Sequence, residues 1–125
     1  MRRVISVPTA PVPVGPYSHA VRAGDFVYVS GQVPRLVDGT YEPTDVETET
    51  RLTLKNLEAV AQASGGRLAD AVKITAYLAR AEYFDKFNRA YAEFFTVAPP
   101  ARTTVVAGLR QVKVEMDAVL YVGGA

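Results

Sequence analysis

Few residues in this 125-residue chain have both the type and the setting for chemistry, and Arg102 is the first. It follows Pro99-Pro100-Ala101 and opens a run of Thr and Val, where a surface loop gives way to sheet. A planar guanidinium there can grip a small carboxylate in a two-pronged fork. It can equally be a solvated arginine at a strand edge. Glu115 interrupts an alternating apolar run, and reads either as a general base or water-orienting carboxylate or as an outward charge paired with Lys113 or Arg110. Asn88 lies four residues after Phe84 and three before Tyr91, on the border of an apolar stripe. Its amide must find partners, in backbone groups or in a ligand. Tyr17 ends a proline-rich loop and can be held over a pocket or plug that loop onto a sheet. His19, the single histidine, reads as a surface or capping residue, since nothing nearby promotes it as a base.

Several reaction classes drop out. Cysteine is absent, which excludes disulfides, zinc knuckles and thiolate catalysis. One histidine excludes a multi-histidine metal site. The chain contains no Gly-x-Ser-x-Gly, no Walker loop and no Gly-x-Gly-x-x-Gly. Its 14 Lys and Arg balance 13 Asp and Glu and are scattered, so nucleic acid is not an expected partner. The apolar run Val4–Val7 is cut short by Pro8, which argues against a signal peptide, and no stretch approaches the roughly 20 apolar residues that span a membrane. The expected setting is cytoplasmic.

The elements that must position these residues follow from periodicity. Residues 8–17 hold four prolines and a glycine and predict an extended, ordered loop. Phe26–Ser30 predicts a strand with Ser30 and Gly31 at its end, and Asp38-Gly39 a turn. From Thr44 or Asp45 as cap, with Glu47 and Glu49 in the first turn, the spacing of Val46, Thr50, Thr53, Leu57, Val60 and Ala61 predicts a helix ended by Ser64-Gly65-Gly66. Val72–Leu78 alternates, with Val72, Ile74, Ala76 and Leu78 on one face and Lys73, Thr75 and Tyr77 on the other. A second helix is predicted from about Glu82 to Phe95, with a stripe of Phe84, Phe87, Tyr91 and Phe94 or Phe95, closed by Pro99-Pro100. Thr103–Ala107 reads as a strand, Gly108–Gln111 as a turn, and Val112–Val122 as a long alternating strand.

The order is then ββ-α-β-α-ββ, an α+β chain with a mixed sheet and both helices on one face, at a length that fits one domain. The other face carries Lys73, Thr75, Tyr77, Lys113, Glu115 and Asp117 together with Val119 and Tyr121. That mixture suits a partly buried subunit interface.

Taken jointly, the stretches Gly15-Pro16-Tyr17-Ser18-His19-Ala20-Val21, Val29-Ser30-Gly31-Gln32-Val33-Pro34, Thr50 with Asn56-Leu57, Val72-Lys73-Ile74-Thr75, Phe84-Asp85 with Asn88 through Tyr91 to Phe94-Phe95, Pro100-Ala101-Arg102-Thr103-Thr104-Val105 and Val114-Glu115-Met116-Asp117-Ala118 cover nearly the whole chain. In these the chain resembles the Rid family, the reactive intermediate deaminases also called YjgF proteins. The resemblance implies a chorismate-mutase-like α+β fold, a homotrimer with a central barrel and sites between subunits, and hydrolysis of 2-imino acids to 2-keto acids and ammonia without metal, flavin or pyridoxal phosphate. It also implies roles. Arg102 would bind the substrate carboxylate, Glu115 would place water and stabilise the cationic imine, and Tyr17 would close the pocket. Asn88 would be a polar site residue, Ser30 and Gly31 would line the pocket, and the backbone carbonyl of Thr104 would meet the imine nitrogen or the attacking water.

The segment between Arg102 and Glu115 is about two residues shorter than the family pattern, which in a hairpin turn would leave each strand residue on its own face. Arg110 stands where Leu-Pro is usual, and Glu49 replaces a common glutamine, read here as a surface change. Two other readings remain open. One is a ribonuclease or translation inhibitor, which should show a basic groove, and the other is a non-catalytic trimer that binds small carboxylates through Arg102 without needing Glu115.

Overall fold

The computed structural model describes residues 2–123. Its elements are β1 (Arg2–Ile5), β2 (Ala20–Ala23), β3 (Phe26–Gln32), α1 (Val46–Ala63), β4 (Ala71–Leu78), α2 (Phe84–Ala92), β5 (Ala101–Val106) and β6 (Val114–Tyr121), with 3-10 turns at Leu68–Asp70 and Ala81–Tyr83. One six-stranded sheet runs in the order β1-β2-β3-β6-β4-β5. Every pairing is antiparallel except that of β4 with β5. Parallel neighbours need a crossover, and α2 supplies it between β4 and β5. Helix α1 likewise joins β3 to β4, with β6 inserted between them.

Local chemistry explains the helix ends. The Asp45 carboxylate accepts the Thr48 N–H at 2.7 Å and caps α1. At the far end the backbone leaves the helix through Ser64 and Gly65, whose φ of 88° favours glycine. The six residues expected on the inner face of α1 are all buried, and Val46, Leu57, Val60 and Ala61 join Val27, Ile74, Met116 and Leu120 from the sheet in one core. Each fully buried large aliphatic side chain of that set contributes on the order of 2 kcal/mol.

Several expectations are corrected. Arg2–Ile5 and Ala20–Ala23 both form strands that the periodicity did not locate, so the order is βββ-α-β-α-ββ. Strand β4 carries a bulge between Ala71 and Lys73, which turns Val72 outward (44% exposed) and buries Ala71 in its place. Helix α2 is shorter than predicted, with the Ala81–Tyr83 turn replacing its first residues, and Phe84 at its start is exposed. Residues 107–113 are not a hairpin turn, because β4 lies between β5 and β6. Glu115 keeps its face through its pairing opposite Tyr77 of β4.

Glu49 is no surface residue. At 1% exposure, its carboxylate accepts from the Lys113 N–H (2.9 Å), the Tyr41 hydroxyl (2.8 Å), the Thr44 N–H (3.1 Å) and the Lys113 ammonium (3.4 Å). It ties the start of α1 to the segment entering β6. Burial, together with the bond to Glu49, pushes the Tyr41 phenol well above its usual range.

Candidate functional site

Arg102 sits on β5 in register with Ile74 of β4, so its side chain turns to the helix-covered face. There the Arg102 Nη2 donates to Asn88 Oδ1 at 2.7 Å. Its guanidinium lies over the rings of Tyr91 (4.6 Å), Phe87 (5.2 Å) and Phe84 (5.9 Å). The aromatic stripe of α2 is therefore a cradle that orients the cation, and Asn88 fixes one of its prongs. The sequence placed Asn88 beside the stripe but not its partner. Arg102, Asn88 and Tyr91 border a cavity of about 470 Å³ lined also by Phe95, Pro99 and Pro100. The Tyr91 hydroxyl is buried there without a hydrogen-bond partner among the described residues, and burial pushes that phenol up against the opposing pull of Arg102.

The free edge of β5 belongs to the same region. The Ala107 N–H donates to the Leu78 carbonyl across the parallel pair. By strand alternation, the peptide groups of Arg102, Thr104 and Val106 then turn away from β4. The carbonyl and N–H of Thr104 are thus offered at an edge with no strand on it among the described residues.

Glu115 lies on the opposite face of the sheet, across from Tyr77 and one turn of the pleat from Asp117, which accepts from the Tyr77 hydroxyl at 3.0 Å. Burial first, and the neighbouring Asp117 charge second, raise its carboxyl above the ordinary 4.5. Glu115 has no ion pair with Lys113 or Arg110. Lys113 pairs with Glu49 instead. The carboxylate of Glu115 packs against the backbone of Gly31, where a Cβ would collide with Oε2. A side chain at 31 would fit only if the end of Glu115 moved aside.

Around Glu115 opens a second cavity, of about 380 Å³, lined among others by Tyr17, Ser30, Gly31, Arg35 and Arg110. Its walls are tied together by backbone-directed bonds. The Ser30 hydroxyl donates to the Ser18 carbonyl at 2.6 Å, and the Tyr17 hydroxyl accepts the Val14 N–H at 3.2 Å while its ring stays 47% exposed at the mouth. Ser30 and Gly31 lie inside β3, at an irregularity in its register with β6 that spans Val29 to Gln32. His19 is buried, so of the surface and capping positions expected for it the surface one is corrected. Its Nδ1 accepts the Val7 N–H at 3.1 Å and its Nε2 meets the Pro11 carbonyl at 2.8 Å. That pairing places the proton on Nε2 and makes the imidazole a clamp on the loop that ends in Tyr17.

The expected site residues therefore fall into two groups. Tyr17, Ser30, Gly31 and Glu115 share the cavity on the open face, whereas Arg102 and Asn88 share the one on the helix-covered face, with Thr104 on the same strand as Arg102. Sequence reasoning missed Arg35, Gln111 and Tyr91. A signal for the first existed in Asn56, whose buried amide donates to the carbonyls of Val33 and Arg35 at 2.9 Å each.

Comparison with known proteins gives the family. Residues 7–122 match the family model described as Endoribonuclease L-PSP. The chain is 40% identical to RutC family protein PH0854 of Pyrococcus horikoshii, over 97% of this chain and 98% of that one. It is 37% identical to a 2-iminobutanoate/2-iminopropanoate deaminase of Dermatophagoides farinae, over 97% of each. Among solved structures, that of Escherichia coli TdcF with bound serine superposes with a TM-score of 0.89 at 31% identity, covering 95% of this chain and 98% of that one. A family match spanning nearly the full length, with relatives at this identity and coverage, establishes that the chain belongs to the Endoribonuclease L-PSP family, the YjgF/Rid/RutC group.

Proposed function

We propose that this protein hydrolyses reactive 2-imino acids, such as 2-iminopropanoate and 2-iminobutanoate, and the enamines that tautomerise to them, to 2-keto acids and ammonia. It acts as a single Rid-type domain assembled into a homotrimer, in the cytoplasm. The observation that carries the reading is the division of polar groups between the two faces of one sheet. A small imino acid has its carboxylate and its C=N carbon on adjacent atoms, so no single chain can offer it both Arg102 and Glu115. A second copy can, if the β5 edge of one copy meets the open-face cavity of another. A contact between two unlike patches repeats head to tail, and it forms a ring such as a trimer when the rotation between copies closes.

In that arrangement Arg102, oriented by Asn88 and the α2 rings, holds the carboxylate. The Thr104 carbonyl at the free edge faces the imine nitrogen and favours its protonated form. Glu115 orients a water whose oxygen adds to the C=N carbon while its proton passes to nitrogen. The carbinolamine then loses ammonia and leaves the keto acid, with no electrons exchanged. Little else is needed, because the C=N carbon is already electrophilic and the task is proximity and electrostatics. The deaminase named in Dermatophagoides farinae supports this chemistry.

The test generates 2-iminobutanoate from threonine with a dehydratase and follows imine consumption. Arg102→Ala should lose about 10- to 100-fold in kcat/KM, the worth of a charged hydrogen-bonded pair. Equal rates would defeat the assignment. Glu115→Ala should lose turnover yet still bind 2-oxobutanoate, and full turnover in that variant would remove the carboxylate from the mechanism.

A further inference from the structure

Two cations line the Glu115 cavity that the reaction above does not use. Arg35 is held in place, with Nη1 donating to the Gly39 carbonyl at 3.1 Å, Nη2 donating to Gln111 Oε1 at 3.1 Å, and the guanidinium 5.9 Å from the Tyr41 ring centroid. Behind it, the Asn56 amide fixes the backbone of residues 33 and 35 from α1. Arg110, next to the Gln111 that orients Arg35, is exposed and takes part in none of the ion pairs among the described residues. Neither arginine pairs with Glu115, whose carboxyl is raised rather than lowered, so the two positive charges are not cancelled by the anion sharing their cavity. A guanidinium stays protonated at any working pH. In the single chain the space, of about 380 Å³, is many times the ~30 Å³ share of one water.

We propose that this cavity selects 2-imino acids that carry a second acid group on the side chain, the four- and five-carbon 2-imino dicarboxylates, with Arg35 and Arg110 taking the distal carboxylate. The inference rests on the deaminase reading of the same site. The first carboxylate goes to Arg102 of a second copy, the reacting carbon lies by Glu115, and the far end of the ligand reaches the paired guanidiniums. Arg35 is the preorganised prong, since its rotamer is already fixed by Gly39, Gln111 and Tyr41. Arg110 closes on the ligand from the segment that precedes β6. An uncharged side chain would leave both cations without a counter-anion, which is how such a pocket discriminates.

The experiment compares 2-iminoglutarate and iminosuccinate, made in place by amino acid oxidases, with 2-iminobutanoate. Imine consumption is read as lost semicarbazone formation. The wild type should show a higher kcat/KM for the dicarboxylates. In Arg110→Ala the ratio of dicarboxylate to monocarboxylate kcat/KM should fall about tenfold, and in Arg110→Lys by less. Arg35→Ala should lower the same ratio, with circular dichroism reporting whether its loop still folds. In parallel, binding of the stable products 2-oxoglutarate and 2-oxobutanoate is measured by calorimetry. Turnover of 2-iminobutanoate with no preference for the dicarboxylates, or an unchanged ratio in Arg110→Ala, overturns the proposal and leaves the deaminase reading intact. Absence of turnover on all three imines, with tighter binding of 2-oxoglutarate than of 2-oxobutanoate, sinks the deaminase reading while the acid-end preference stands. Absence of both removes both.

Discussion

The chemistry of Glu115 is set by what surrounds one carboxyl group. Burial and Asp117 both oppose its ionisation, so the rate in the proposed reaction, which uses the ionised form, should fall as pH drops through a value above the usual 4.5. Asp117→Asn keeps an oxygen for the Tyr77 hydroxyl and removes the neighbouring charge, and the acid limb of kcat/KM should move to lower pH. Stability follows the opposite sign. A carboxyl whose folded value lies above its unfolded one costs stability at neutral pH, and the cost is relieved as pH falls through the folded value. Glu115→Gln should therefore melt higher than wild type at pH 7, with the gap closing on acidification, as thermal unfolding at several pH values would show. The same carboxylate depends on Gly31. A methyl group there must displace Oε2, so Gly31→Ala should cut kcat by about tenfold or more, in line with the sensitivity of positioned groups to small shifts. Unaltered kinetics would mean that Glu115 has no fixed position to lose.

At the scale of elements, the most consequential joint is the one that Glu49 makes between α1 and the start of β6. Its buried carboxylate satisfies two backbone N–H groups, a phenol and an ammonium. Removing it takes the acceptor from both backbone N–H groups and unpairs the Lys113 ammonium, and Glu49→Ala should cost about 3–5 kcal/mol in denaturant unfolding, the usual result of breaking one side of a buried pair. Glu49→Gln should cost less, because the Tyr41 hydroxyl can turn to accept from the new amide. An equal loss in the two variants would show that charge, rather than hydrogen bonding, holds the joint. The same joint sets the position of residues 110 and 111 at the cavity wall, so Glu49 links the stability of α1 to the shape of the site.

The molecule as a whole presents an open sheet face on which Phe26, Tyr28 and Tyr121 are exposed, with Phe26 and Tyr121 edge to face at 5.4 Å. An apolar surface of this kind beside Glu115 and Asp117 is what an assembly would cover. If sites form between copies, inactive Arg102→Ala and Glu115→Ala chains should restore activity when mixed and reassembled. A random mixture in a ring joins an intact Arg102 to an intact Glu115 at about one interface in four, so roughly a quarter of wild-type activity should return. No recovery, with assembly verified by sedimentation, would place the whole site within one chain.

How much of this was legible in the sequence depends on the range of the forces involved. Alternation and helical spacing are local, and they placed the core faces of α1 and β6 and the capped start of α1 at Thr44 or Asp45. They also put Arg102 and Glu115 on strands and Asn88 on α2, and the quoted motifs identified the family. Strand order, the β4 bulge at Val72 and the insertion of β4 between β5 and β6 are settled by pairing between distant segments, which leaves no local trace. For that reason the Arg102 bond to Asn88, the burial of Glu49 and His19, and the gathering of Arg35 and Arg110 beside Glu115 emerged only with the tertiary structure. So did the placement of Arg102 and Glu115 on opposite faces of one sheet, because the face a residue occupies is a property of its strand, while the surface it meets is a property of the whole chain.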